Sequence, residues 1–191
     1  MKTGKTGYII ILIACMSFIL SAAQGKKVMI PDYSDTPRNK VPGEFKWDLS
    51  HIYPEPVAFD ADLKKAGKLL AEMEQRKPGW TDSAEKMHAM YEHLNSVQSI
   101  VYKAWAYAGL SMWSNMSNPV AQKRFGRAQA LRFRLHGATS FMKTGILALG
   151  RERFQKYLAQ EPRLKPFAHS ITNTLRLKNH TLPPDKQRIL N

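Results

Sequence analysis

Between His93 and Arg151 the chain has no aspartate or glutamate, and after Cys15 it has no further cysteine. The second absence excludes disulfides, a thiolate nucleophile and cysteine-based zinc sites from everything downstream of residue 15. No apolar run reaches the roughly 20 residues a membrane helix needs; the longest is Tyr8 to Leu20. There is no G-x-S-x-G elbow, phosphate loop or dinucleotide fingerprint, and Gly4-Lys5-Thr6 lacks the upstream glycine of a phosphate loop. Alternating strand patterns and internal repeats are missing too, which leaves helix as the periodic signal.

Against those absences stand a 43% hydrophobic content, four tryptophans and a formal charge of +14 over 191 residues. The apolar content supports a packed core rather than disorder. The charge favours anionic partners without specifying a fold.

The first 23 residues read as a secretory signal, with Lys2 and Lys5 before the apolar run and Ser21-Ala22-Ala23 before a cleavage point at Gln24. The expected location is periplasmic or extracellular, with no membrane anchor after cleavage. A rival is a lipoprotein: Leu12-Ile13-Ala14-Cys15 has the form of a lipobox, although Met16–Leu20 is greasier than a lipoprotein tether. Residues 24–44 read as a linker punctuated by Pro31, Pro37 and Pro42, and residues 45–191 as one helical domain.

Trp47, Leu49, Ile52 and Tyr53 are expected to plug the core at the domain's start. A helix follows from Val57 to Arg76, ended by Pro78-Gly79. Met87, Met90, Leu94, Val97, Val101, Ala104 and Ala108, in steps of three and four, predict a helix of about 30 residues capped by Asp82 or Ser83. Asn118-Pro119 opens another, with Ala121, Phe125, Ala128, Leu135, Ala138, Met142 and Leu149 on its inner face. The short Ser114–Ser117 turn makes these two an antiparallel hairpin. Shorter helices are predicted over Glu152–Gln160 and Arg163–Leu177, and a last one opens at Thr181-Leu182-Pro183-Pro184. The fold class is all-α: a signal helix, an extended linker and a bundle dominated by a long hairpin.

Candidate chemistry is sparse. His88 and His93 bracket Glu92, as in a zinc helix, but zincins place their histidines four residues apart. Five residues put these two about 140° apart around a helix, too far to share a metal. Asn115-Met116-Ser117 and Asn179-His180-Thr181 are formal glycosylation sequons, read as chance. No catalytic, cofactor-binding or metal-binding residue is assigned. The acid-free stretch carries Lys103, Lys123, Arg124, Arg127, Arg132, Arg134, Lys143 and Arg151, with Trp113 and Phe133 as stacking surfaces. It reads either as a solvated basic surface or as a face for an acidic partner or polyanion.

Four phrases, in order, carry a family resemblance. Val41-Pro42-Gly43-Glu44-Phe45-Lys46-Trp47-Asp48-Leu49-Ser50-His51-Ile52-Tyr53-Pro54 resembles the opening of oligoendopeptidase F and related thimet-type zinc oligopeptidases. Tyr102-Lys103-Ala104-Trp105-Ala106-Tyr107-Ala108-Gly109-Leu110 is similar to the family's Y-x-Y-A-x-L segment, and Asn118-Pro119 to its next helix start. Arg176-Leu177-Lys178-Asn179-His180-Thr181-Leu182 resembles the phrase that closes its N-terminal domain. The resemblance implies a channel wall or lid over a site that cleaves short peptides. It places the zinc-binding H-E-x-x-H helix in a later domain, which no position here matches. The expectation is a non-catalytic domain, from a truncated gene product or a split enzyme whose partner is the catalytic domain. The hairpin is less acidic than is usual in the family, which leaves the charge of its substrates open. A stand-alone basic helical module is the rival.

Overall fold

The computed structural model describes residues 31–180, and the chain divides between Gly43 and Glu44. The predicted signal helix, Cys15 and the helix expected from Thr181 lie outside the described residues. Residues 31–42 run through successive turns, with the Ser34 amide donating to Asp32 and the Lys40 amide to the Pro37 carbonyl.

The part from Glu44 onward is built of helices joined by turns, with no strand among the described residues. Five α-helices follow in chain order: α1 (Pro56–Arg76), α2 (Ala84–Ser114), α3 (Pro119–Leu149), α4 (Arg151–Gln160) and α5 (Ala168–Arg176). Short 3₁₀ turns span Gly43–Phe45, Pro162–Phe167 and Leu177–His180. No helix among the described residues is long and apolar enough to cross a membrane.

The long helices start where local chemistry dictates. Ser83 Oγ accepts the Lys86 amide at 3.2 Å, and Asn118 Oδ1 accepts those of Val120 and Ala121 at 2.9 and 3.2 Å. Each cap satisfies donors that the first turn of a helix leaves unpaired. Gly150, at φ 77°, ends α3 and caps α4, a left-handed position that disfavours any residue with a side chain.

Helices α2 and α3 form the predicted antiparallel hairpin, and α1 packs against both. The core runs along the hairpin in three zones. At the tip end, Tyr53, Phe59, Ala104, Tyr107, Ala108 and Ala128 pack together. Midway come Ala66, Leu70, Val97, Val101, Leu131 and Leu135. At the base, Trp80, Met87, Met90 and Tyr91 meet Met142 and Ile146, closed below by Phe154, Leu164 and Ile171.

Two expectations need correction. Trp47 does not plug the core; it is 62% exposed. The Ser50 amide donates to Asp48 and the Ile52 amide to Leu49, and this tight turn sends Leu49, Ile52 and Tyr53 inward while Trp47 points out. The predicted helix over Arg163–Leu177 is broken: Pro162–Phe167 is 3₁₀ and only Ala168–Arg176 is α. Pro166 has no amide to donate and disfavours α geometry in the residue before it.

The 3₁₀ turn is fixed by Glu161, which is buried and accepts from the Arg163 amide, Nε and Nη2. The Arg163 hydrogen bonds hold the Glu161 carboxyl at a pKa of about 2, below its ordinary 4.5. A lowered native pKa stabilises the fold fully above the unfolded value, and this contribution fades as pH falls toward 2. In guanidinium titrations, stability should therefore drop between pH 4.5 and 2, and the drop should be shallower in Glu161→Gln. An unchanged slope would remove Glu161 from the acid response.

Candidate interaction surface

Placing the titratable side chains shows what they do. His88 has its ring 6.4 Å from Phe167 and its Nε2 3.8 Å from Glu92. His93 turns to α1, with Nε2 donating to the Leu69 carbonyl at 2.8 Å. The two rings serve different neighbours, and among the described residues no three His, Cys, Asp or Glu side chains converge to hold a metal. Asn115 closes α2 and accepts from Ser117 Oγ at 2.8 Å.

The acid-free stretch acquires carboxylates from α1. Lys103 Nζ lies 3.3 Å from Asp62 and 4.1 Å above the Tyr53 ring. Tyr53 donates its hydroxyl to the same carboxylate at 2.7 Å. Desolvation, reinforced by this bond, pushes the Tyr53 phenol pKa up. Arg127 pairs with Asp60 at 2.6 Å. Together with Arg134, Leu131 and Leu63 these two line an open groove of about 390 Å³ between α1 and α3. Arg127 and Arg134 thus share the groove, while Arg124 does not line it. The sequence could not show this neutralisation, because Asp60 and Arg127 are 67 residues apart.

The opposite side of the hairpin is different. Lys103 and Trp105, like Arg134 and Arg132, are two residues apart and so about 200° around their helices. Trp105, Trp113 and Phe125 have ring centroids within 6.0–6.5 Å of one another. Trp105 Nε1 donates to Gln129 at 2.7 Å, and the Arg132 guanidinium lies 4.8 Å above the Trp105 ring and 5.9 Å from Phe133. Trp113 folds back over Gly109, where a Cβ would lie 3.1 Å from the indole. Trp113 is 50% exposed and Phe133 61%. Arg132 Nε is buried and has no hydrogen-bond partner among the described residues. Trp113 and Phe133 were legible in the sequence as stacking surfaces, whereas the isolation of Arg132 was not.

Comparison with known proteins agrees with the phrases in the sequence. The family model for oligopeptidase F matches residues 146–191. The plasmid-encoded oligoendopeptidase F of Lactococcus lactis subsp. cremoris is 26% identical over 154 residues, which is 80% of this chain and 26% of the relative. Oligopeptidase PepF of Bacillus subtilis (strain 168) is 22% identical over 172 residues, 90% of this chain and 25% of the relative. The chain is thus similar to oligoendopeptidase F proteins over most of its length. It spans about a quarter of the length of these relatives. The crystal structure of oligoendopeptidase-F from Enterococcus faecium shares the fold: TM-score 0.63 and 22% identity, over 71% of this chain and 27% of that one.

The residues that carry the family likeness build structure. Tyr53 of the first phrase packs on Tyr107 of the second, at 5.0 Å between centroids, and Lys103 of the second covers it. Asn118-Pro119 is the cap of α3. Leu177 and Lys178 of the fourth phrase form part of the closing 3₁₀ turn.

Proposed function

We propose that this chain is the non-catalytic helical wall or lid region of an exported oligoendopeptidase F-like zinc metallopeptidase that cleaves short peptides. The supporting observation is that the first two shared phrases meet in one structural node, where Tyr53 and Lys103 share the Asp62 carboxylate of α1. These residues maintain a scaffold, and among the described residues no three His, Cys, Asp or Glu side chains converge to hold a metal. Hydrolysis then belongs to a partner region carrying the zinc helix. Export rests on the basic and apolar pattern of residues 1–23.

One fusion tests both halves. Residues 1–191 replace the matching N-terminal quarter of the Bacillus subtilis relative and are expressed in that host. The product should appear in the medium with Gln24 at its N-terminus and cleave a quenched short peptide in a chelator-sensitive way. The unfused chain should not cleave it. A folded, zinc-loaded fusion without activity would sink the peptidase reading, and an uncleaved intracellular product the export reading.

A further inference from the structure

On the side of the hairpin facing α1, Lys103 meets Asp62 and Arg127 meets Asp60. Arg132 faces the other way and has no ion-pair partner among the described residues. Its Nε is already desolvated against Trp105 and lacks a hydrogen bond. Stacking on Trp105 fixes the guanidinium, and its two Nη nitrogens, which are not buried, form a fork suited to a carboxylate brought from outside. Around it lie the half-exposed rings of Trp113 and Phe133, and nearer the tip Met116 and Val120 are also exposed. No residue between His93 and Arg151 supplies a negative charge to this face.

We propose that the face formed by Trp105, Trp113, Phe125, Arg132 and Phe133 docks an acidic polypeptide segment, whose carboxylate pairs with Arg132 and whose apolar side chain covers Trp113 and Phe133. Charge complementarity selects that occupant. A second copy would bring Arg132 no carboxylate from its own equivalent face, in a chain of formal charge +14. A nucleic-acid strand needs a row of cations along its phosphates. Here one arginine stands among rings and the neutral Gln129, while Arg127 and Arg134 line the opposite groove. One charge within an aromatic surround is the pattern of an anchor in a protein interface. The inference stands apart from the peptidase reading, since it requires only the hairpin.

The test uses the full chain and three fluorescein-labelled probes in about 150 mM salt, where long-range attraction is screened. The first is a dodecapeptide alternating Leu with Glu and Asp, the second its Gln/Asn counterpart, and the third a dodecamer of thymidylate. The acidic peptide should bind, its neutral counterpart should not, and thymidylate should bind more weakly. Arg132→Gln should weaken the acidic peptide about tenfold, as an interfacial anchor does. Phe133→Ser should weaken it too, and that side chain is exposed enough that its loss leaves the core intact. Arg134→Gln removes the same charge from the opposite face and should change affinity less than about threefold, the scale of an exposed charge. Helix content by circular dichroism accompanies each variant. Equal losses in the two arginine variants, thymidylate binding tighter than the peptide, or no peptide binding would each overturn the proposal.

Discussion

Trp80→Ala should cost the fold about 3–5 kcal/mol, the range for deleting a buried tryptophan side chain. Trp80 sits in the turn between α1 and α2 and is 6% exposed. Its ring is 6.2 Å from that of Tyr91 and meets Phe141 edge-on at 5.8 Å. On the α3 side Gly145 comes so close that a Cβ there would lie 2.7 Å from the indole. The cavity left by alanine is therefore walled by two long helices that are held elsewhere along their length and have little freedom to collapse. Against the 5–15 kcal/mol of an ordinary domain, such a loss is a large fraction of stability. Urea unfolding should show a lower midpoint with the same slope. Gly145→Val should harm the native protein by overpacking but be tolerated better beside Trp80→Ala, a coupling a double-mutant cycle measures. A cost under about 1 kcal/mol for Trp80→Ala would mean that the indole is not the wedge described.

Features fixed within one turn of helix were readable from the sequence, and those fixed by distant partners were not. Asn118-Pro119 announced α3 because the cap bonds close two and three residues away. The α2 stripe was legible because all its members face one continuous seam; Met87, Met90, Val97, Val101, Ala104 and Ala108 are all buried. On α3 the predicted stripe omitted Leu131 and Ile146, both buried. That helix packs against α1, α2 and α5, so its apolar positions spread around the axis and blur the period. Trp80 gave no periodic signal because it lies in a turn. The ion pairs of Asp60 and Asp62 with the hairpin depend on how α1 lies across it, which no local pattern encodes. The candidate surface follows the same division: its rings were visible as residues, while the placement of Arg132 against Trp105 required the packed hairpin.

Tyr53→Ala should cost about 3–5 kcal/mol, whereas Tyr53→Phe should cost about 1–2 kcal/mol. The contrast separates the two roles of a side chain that belongs to the opening family phrase. Its ring is 2% exposed and touches Phe59 and Tyr107 at 5.7 and 5.0 Å between centroids, both edge-on, with Lys103 over its face. Removing the ring empties the tip-end core and uncovers the seat of α1. Removing only the hydroxyl leaves that packing whole and takes from Asp62 one of its two partners among the described residues, with Lys103 remaining at 3.3 Å. The carboxylate is partly exposed, so water can replace part of the lost bond, which keeps the smaller cost modest. Thermal unfolding of the two variants beside the parent provides the measurement. If phenylalanine proved as damaging as alanine, the hydrogen bond to Asp62 rather than ring packing would hold the opening phrase in place. If neither variant lost stability, the junction of the first two family phrases would not anchor this end of the domain, and the structural account of why those phrases recur together would fail with it.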